Sequence, residues 1–175
     1  MALVPVMAAA LGACGSDPVD TNADGEISVA EAAARAEASG MKPLAGEYKV
    51  TVEVLEVNIP GAPADMADMM RNAMGSSSHT YCMTQEEVDK GFEEMARQSQ
   101  EGQDCSFERF EVDGGEIDGK MICNVDGQGS MTMTMKGTGG ETRSEMDMTM
   151  QGNVAGMGDM TMRMKTTHER QGDCA

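Results

Sequence analysis

Three alternating segments decide the fold: Ser130-Met-Thr-Met-Thr-Met-Lys136, Glu145-Met-Asp-Met-Thr-Met-Gln151 and Asp159-Met-Thr-Met-Arg-Met-Lys165. Successive side chains of an extended chain point to opposite faces, so strict alternation means β-strand. Met131, Met133 and Met135 fall on one face of the first strand, Met146, Met148 and Met150 on one face of the second, and Met160, Met162 and Met164 on one face of the third. Thr132, Thr134, Lys136, Asp147, Thr149, Arg163 and Lys165 take the other side, which is a solvent face. Gly139-Gly140 suits a two-residue hairpin turn. That turn pairs Thr138 with Glu141, sets Met133 opposite Met146 and sets Met131 opposite Met148. The connection over residues 151–159 then places Met150 opposite Met160, Met148 opposite Met162 and Met146 opposite Met164. An antiparallel sheet with one face of thioethers follows.

Upstream segments extend the sheet. Gly46 to Ile59 reads as a long strand with Tyr48, Val50, Val52 and Val54 inward. The phase then slips, so a bulge at Val54-Leu55 lets Leu55, Val57 and Ile59 continue inward. Pro60-Gly-Ala-Pro63 ends it, and Asp65 caps a short helix whose apolar face is Met66, Met69, Met70 and Ala73, stopped by Gly75. A strand over 77–82 follows. Thr84 and Glu87 form a capping box for a second helix with the stripe Val88, Phe92 and Met95. The pattern is mainly β (α+β): an antiparallel meander of about seven strands with two short amphipathic helices.

The hairpin at Asp113-Gly114-Gly115 orders the cysteines. A three-residue loop pairs Val112 with Glu116, and counting outward brings Cys105 opposite Cys123, within disulfide reach. Cys82 is then left for Cys174. Two disulfides imply an oxidising compartment.

The methionine face has three readings. It is a loosely specified core in which thioethers replace Val and Leu; or it is a pliable pocket for an apolar ligand; or it is a soft site for Cu(I), centred on Met133, Met146, Met148 and Met162. The regular grid favours packing over a copper site, which needs only a few thioethers.

A second motif lies near the start. Asp20-Thr-Asn-Ala-Asp-Gly-Glu-Ile-Ser-Val-Ala-Glu31 matches the twelve-residue EF-hand calcium loop. Asp20, Asn22 and Asp24 offer side-chain oxygens, Gly25 makes the sharp turn and Glu26 gives its carbonyl. Ile27 points inward, Ser28 holds a bridging water, and Glu31 closes the loop as a two-oxygen ligand. Pro18 and the short run from Cys14 leave no room for an incoming helix. The outgoing helix, Val29 to Ala38, is Ala-rich, has Glu31 and Arg35 four apart, and ends at Ser39-Gly40. It has no large apolar face to pack with, so weak binding toward the millimolar end is expected. An acidic solvated linker that happens to fit the pattern is the alternative.

Residues 1–13 are small and apolar and lead into Leu11-Gly12-Ala13-Cys14, which resembles the lipobox of bacterial lipoproteins. The resemblance implies a signal peptide over 1–13, lipidation of Cys14, and an outer-membrane lipoprotein facing the periplasm. No Lys or Arg precedes the apolar run, which departs from that pattern, and a buried apolar segment with a free cysteine is the alternative. Residues 14–40 would then be anchor and tether, and 41–175 the folded domain. With 30 acidic against 13 basic residues, nucleic acid is repelled and membrane attachment rests on the lipid. His79 and His168 lie in no nucleophile or metal spacing, and no catalytic motif occurs, so no enzyme is expected.

The body resembles a family of small envelope proteins designated as a domain of unknown function, DUF3617. The resemblance rests on Met41-Lys42-Pro43, Gly46-Glu47-Tyr48, Cys82-Met83-Thr84, Cys105, Gly114-Gly115, Cys123, the Met-Thr-Met repeats and Gly172-Asp173-Cys174. Tyr48 stands where the family implies Trp. What the resemblance implies is secretion, two disulfides and a β-rich fold, with the calcium loop outside it. The expected protein is an envelope lipoprotein binding Ca²⁺, with a β domain as a binding or structural module whose protein partner or ligand the sequence does not name. The rival is a periplasmic carrier of Cu(I) or an apolar ligand.

Overall fold

The computed structural model describes residues 25–91, 103–125, 129–154 and 158–174. Helix α1 (Val29–Ala38) is followed by β1 (Gly46–Asn58), α2 (Ala64–Met74), β2 (Ser76–Met83) and a helix, α3, described over 85–91. Five strands complete the chain: β3 (Gln103–Asp113), β4 (Glu116–Val125), β5 (Gly129–Thr138), β6 (Arg143–Val154) and β7 (Gly158–Gly172). They form one open antiparallel sheet in the order β2-β1-β7-β6-β5-β4-β3. The meander is continuous from β3 to β7, and β1 then joins β7 with β2 on its outer side.

The alternating methionines do form β5, β6 and β7, and they share a face. Their register differs from the sequence expectation. Thr138 pairs with Glu145 instead of Glu141, so Met133 faces Met150 and Met135 faces Met148. On the other side Met150 faces Met162 and Met148 faces Met164, while Met160 lies opposite Gly152. The cause is that the backbone over 139–142 is engaged elsewhere. Gly139 N–H donates to the Gly115 carbonyl at 2.8 Å, Leu44 N–H to Glu141 at 2.9 Å, and Arg170 N–H to Thr142 at 2.8 Å. A two-residue turn would withdraw these groups. Both slips are even in strand register, so no methionine changes face.

The β3–β4 hairpin is also tighter than expected. Asp113 pairs with Glu116 across Gly114-Gly115, both at positive φ, and Val112 faces Ile117 instead of Glu116. A register shift between Phe107 and Arg109 restores the count, so Cys105 still lies opposite Cys123. The disulfides are Cys105–Cys123 and Cys82–Cys174.

In β1 the register shifts between Val54 and Glu56, where a bulge was expected. Leu55 is the residue left out of the ladder, and it is 43 % exposed, not inward. Val57 and Ile59 resume the buried side. Pro63, not Asp65, is the N-cap of α2 and makes no side-chain cap bond; Asp65 lies in the first turn. Met69 on α2 is 65 % exposed, so the expected four-residue apolar face is incomplete. The capping box of α3 is present: Thr84 N–H and Oγ1–H donate to Glu87 Oε2, and Glu87 N–H returns to Thr84 Oγ1. Val88 is buried against Tyr48 and Met83, while Phe92 and Met95 lie outside the described residues.

The opposite face of the sheet carries ion pairs. Lys136 reaches Asp118 at 2.9 Å, Lys165 reaches Glu145 at 2.6 Å and Lys120 reaches Glu108 at 2.7 Å. Exposed pairs of this kind contribute little to stability. They keep this face wet and assign packing to the other side.

Candidate functional site

The second half of the EF-hand-like sequence motif is described from Gly25 onward. Gly25 has φ +88, the left-handed turn that the sixth loop position demands. Ile27 then exchanges two backbone hydrogen bonds with Phe107 of β3: Ile27 N–H to Phe107 O at 2.9 Å and Phe107 N–H to Ile27 O at 2.7 Å. β3 is an edge strand, and this bridge occupies part of its open edge. Ser28 is the N-cap of α1: its N–H and Oγ–H each donate to Glu31 Oε2 at 2.8 Å, and Glu31 N–H donates to Ser28 Oγ at 3.2 Å. Glu26 is exposed. Asp20, Asn22, Asp24 and Cys14 lie outside the described residues. Among the described residues no three His, Cys, Asp or Glu side chains gather as a metal-binding group.

Helix α1 has a packing face after all. Ala32 and Ala36 are buried against Phe107, Phe110, Val112 and Met41, and Ala33 is buried beside them on the wall of the hollow described below. Methyl side chains let the helix approach the two phenylalanine rings, which meet edge to face with centroids 5.0 Å apart. The division at residue 41 therefore separates sequence motifs, not packing: α1 belongs to the folded body.

Between α1 and the sheet lies an apolar hollow of about 500 Å³. Val29, Ala33, Met41, Phe110, Met135 and Met146 define its walls, and Ser144 is the single polar side chain among its described lining residues. Gly119 packs behind two of these wall residues. A Cβ there would lie 3.0 Å from Met135 Cγ and 3.4 Å from the Phe110 ring. The hollow falls in the size range of small-molecule sites and has their mostly apolar lining.

Beyond the hollow the thioethers form two rows. One runs Met162, Met150, Met133, Met121 across β7, β6, β5 and β4, ending on Val57 and Phe107. The other runs Met164, Met148, Met135 and ends on Val54 and Gly119. All of these methionines are half-buried, unlike Met41 and Met83, which are 4 % and 7 % exposed. Of the four positions assigned to a soft-metal site, Met133 and Met162 lie in the first row with Met150 between them, and Met148 lies in the second. Met146 is next to Met148 on the same face of β6, paired with Gly137 and Thr166, on the wall of the hollow.

A smaller recess of about 190 Å³ adjoins the hollow at Pro43, Gly140 and Ser144 and is lined in part by Tyr48, Tyr81, Met83 and His168. Burial raises the Tyr48 phenol above its ordinary pKa, with Arg170 partly opposing, and burial also raises Tyr81. The Tyr48 hydroxyl lies 2.8 Å from the Leu44 carbonyl and 2.9 Å from that of Glu141, so it ties the strand entrance to the β5–β6 turn. Burial, and then the charge of His79, lower the pKa of His168.

Sequence reasoning missed the hollow and the Ile27–Phe107 bridge. The Ala32, Ala33, Ala36 spacing was the visible signal, since small residues at i, i+1 and i+4 form one helix face.

Three of the motifs that carried the family resemblance, Gly46-Glu47-Tyr48, Cys82-Met83-Thr84 and Gly172-Asp173-Cys174, meet at one corner of the sheet. Gly46 pairs with Met83, Glu47 with Cys82 and with Gly172, and Cys82 is bonded to Cys174. A Cβ on Gly46 would lie 2.3 Å from the Gly172 carbonyl oxygen, so this corner admits only glycine there. The chain belongs to the protein family of unknown function DUF3617, which matches residues 41–174. No curated protein and no solved structure matches it. No described helix is long and apolar enough to cross a membrane.

Proposed function

We propose that this DUF3617 protein is a lipid-anchored envelope protein that binds calcium through the loop Asp20–Glu31 and holds an apolar ligand in the hollow beneath α1. One observation carries the reading: α1 is both the outgoing helix of the loop and a wall of the hollow. The turn at Gly25, the extended bridging Ile27 and the placement of Glu31 at the third helical position support the loop assignment. The donor set of the motif is all oxygen, which suits a hard cation. The ligand is uncharged and apolar, because the hollow offers it no cation and only one hydroxyl among its described walls. A signal peptide, lipidation at Cys14 and periplasmic residence fit the two disulfides.

Glu31→Gln tests the calcium half. Glutamine retains a capping-box acceptor for Ser28, so α1 keeps its start while the bidentate carboxylate is lost. Calorimetry at millimolar calcium should give binding heat for the native chain and none for the variant; equal heats would end the claim. The ligand half is tested by an environment-sensitive apolar dye, displaced by an uncharged long-chain alcohol. Ala33→Phe fills the hollow and should abolish dye uptake. Cu(I) titration runs beside it, since the methionine face is the rival soft-metal site. Tight Cu(I) binding without dye uptake would replace the apolar reading with that one.

A further inference from the structure

The choice of methionine over other apolar residues is specific to the middle of the sheet. Inward positions of β1 carry Tyr48, Val50, Val52, Val54 and Val57, and those of β3 carry Phe107, Phe110 and Val112. In β5, β6 and β7 the three alternating runs use methionine at every apolar position. Strands prefer β-branched and aromatic side chains, and methionine loses more rotamer freedom on packing. Apolar demand alone does not select it, so a property of sulfur does. Copper ligation needs three or four converging thioethers, whereas these lie in rows across four strands. Pliability serves a closed irregular core, whereas these side chains are half-buried over a regular sheet.

Oxidation is the remaining property. The four described cysteines are locked in disulfides and the chain has no Trp, so among the described residues its thioethers are the side chains most open to two-electron oxidation. An array in which each sulfur reacts alone has capacity instead of affinity, and a grid supplies that.

We propose that the face built on Met121, Met133, Met148, Met150, Met162 and Met164 is a reversible sink for oxygen-transferring oxidants such as hypochlorous acid. A sulfur lone pair takes the oxygen. The S–O bond forms as the O–Cl bond breaks, chloride leaves and the hydroxyl proton goes to water. Each thioether becomes one sulfoxide, sulfur losing the two electrons that chlorine gains. The uncharged acid is not repelled by the chain's net charge of −17. Sulfoxide oxygens reach water from half-buried positions, and the backbone ladder of the sheet does not involve them, so the fold survives. Methionine sulfoxide reductases with a thiol donor reverse the change.

The full chain carries its own references. Met69, 65 % exposed, gives the rate of an unprotected thioether, while Met41 and Met83 give that of the enclosed core. Graded hypochlorous acid followed by peptide mapping should show the row methionines oxidised several-fold before Met41 and Met83, with unchanged far-UV circular dichroism and full reversal by the reductases. A chain with Met133, Met148, Met150, Met162 and Met164 all changed to Leu should fold and lose the oxygen uptake of those positions. Should that variant fail to fold, the order of oxidation in the native chain decides. Oxidation of the rows in step with Met41 and Met83, or loss of the sheet on first oxidation, would overturn the proposal.

Discussion

Met148 is the most informative side chain to shorten. It sits on β6 between Met135 and Met164, at the centre of the second thioether row, and is half-buried. In a closed core, Met→Ala costs about 2–5 kcal/mol, because a sealed cavity adds to the lost transfer energy. Full burial of a methionine side chain is itself worth about 1.5–3 kcal/mol. Here part of the side chain already meets water, and neighbouring thioethers can settle into the space. Most of the transfer energy and little cavity energy are at stake, so Met148→Ala should cost about 1–2 kcal/mol. Urea unfolding followed by circular dichroism measures it, with an unchanged m-value as the sign that only stability moved. Met148→Leu, which conserves volume, should stay within about 1 kcal/mol of the native chain. A loss above about 3 kcal/mol would mean a sealed core and would refute the half-open face. No measurable loss would mean that the row contributes nothing to packing.

The disulfides should differ in weight. Cys82–Cys174 spans 92 residues and Cys105–Cys123 spans 18, and loop-closure entropy gives about 4.7 kcal/mol for ~100 residues against about 3 for ~15. Paired Ser substitutions at Cys82 and Cys174 should therefore lower the urea midpoint more than those at Cys105 and Cys123; the reverse order would show that strain or residual unfolded structure decides. The lowered pKa of His168 predicts a pH effect with a definite sign. The unfolded chain binds that proton more readily, so the stability is present above the ordinary histidine value near ~6.5 and is lost as pH falls through the lower folded value. His168→Gln should flatten that part of the stability curve, while the further loss below about pH 4, from the lowered carboxylates Asp118 and Glu145, should remain. A variant curve that still falls between neutrality and pH 5 would assign the effect elsewhere.

What the sequence made legible was parity, and parity survives errors in register. Alternation at Met131 to Met135, Met146 to Met150 and Met160 to Met164 settles which side chains share a face, and any even slip keeps them there. Register itself depends on where the turn backbone finds partners. Residues 139–142 bond to Gly115, Leu44 and Arg170, distant in sequence, so no local turn rule could count the strands correctly. The disulfide expectation shows the same limit from the other side. Val112 was placed one residue out, and the shift between Phe107 and Arg109 cancelled it, so Cys105 met Cys123 through two compensating departures. The Thr84–Glu87 capping box was legible because its partners lie within one turn, whereas Ser28 and Glu31, read as calcium-loop positions, form the same box in the structure.

The hollow was hidden because α1 and β3 are far apart in the chain. An Ala-rich helix judged alone has little to bury, yet Ala32 and Ala36 suit two phenylalanine rings that the helix can approach only through small side chains. The Ile27–Phe107 bridge fixes that approach. Backbone bonds at the loop's eighth position thus hold the start of the helix to the same residue whose ring its alanines cover. A change in the loop has a short path to the hollow. It must either strain the bridge at Phe107 or carry α1 with it across the rings, and both alter the wall formed by Val29 and Ala33.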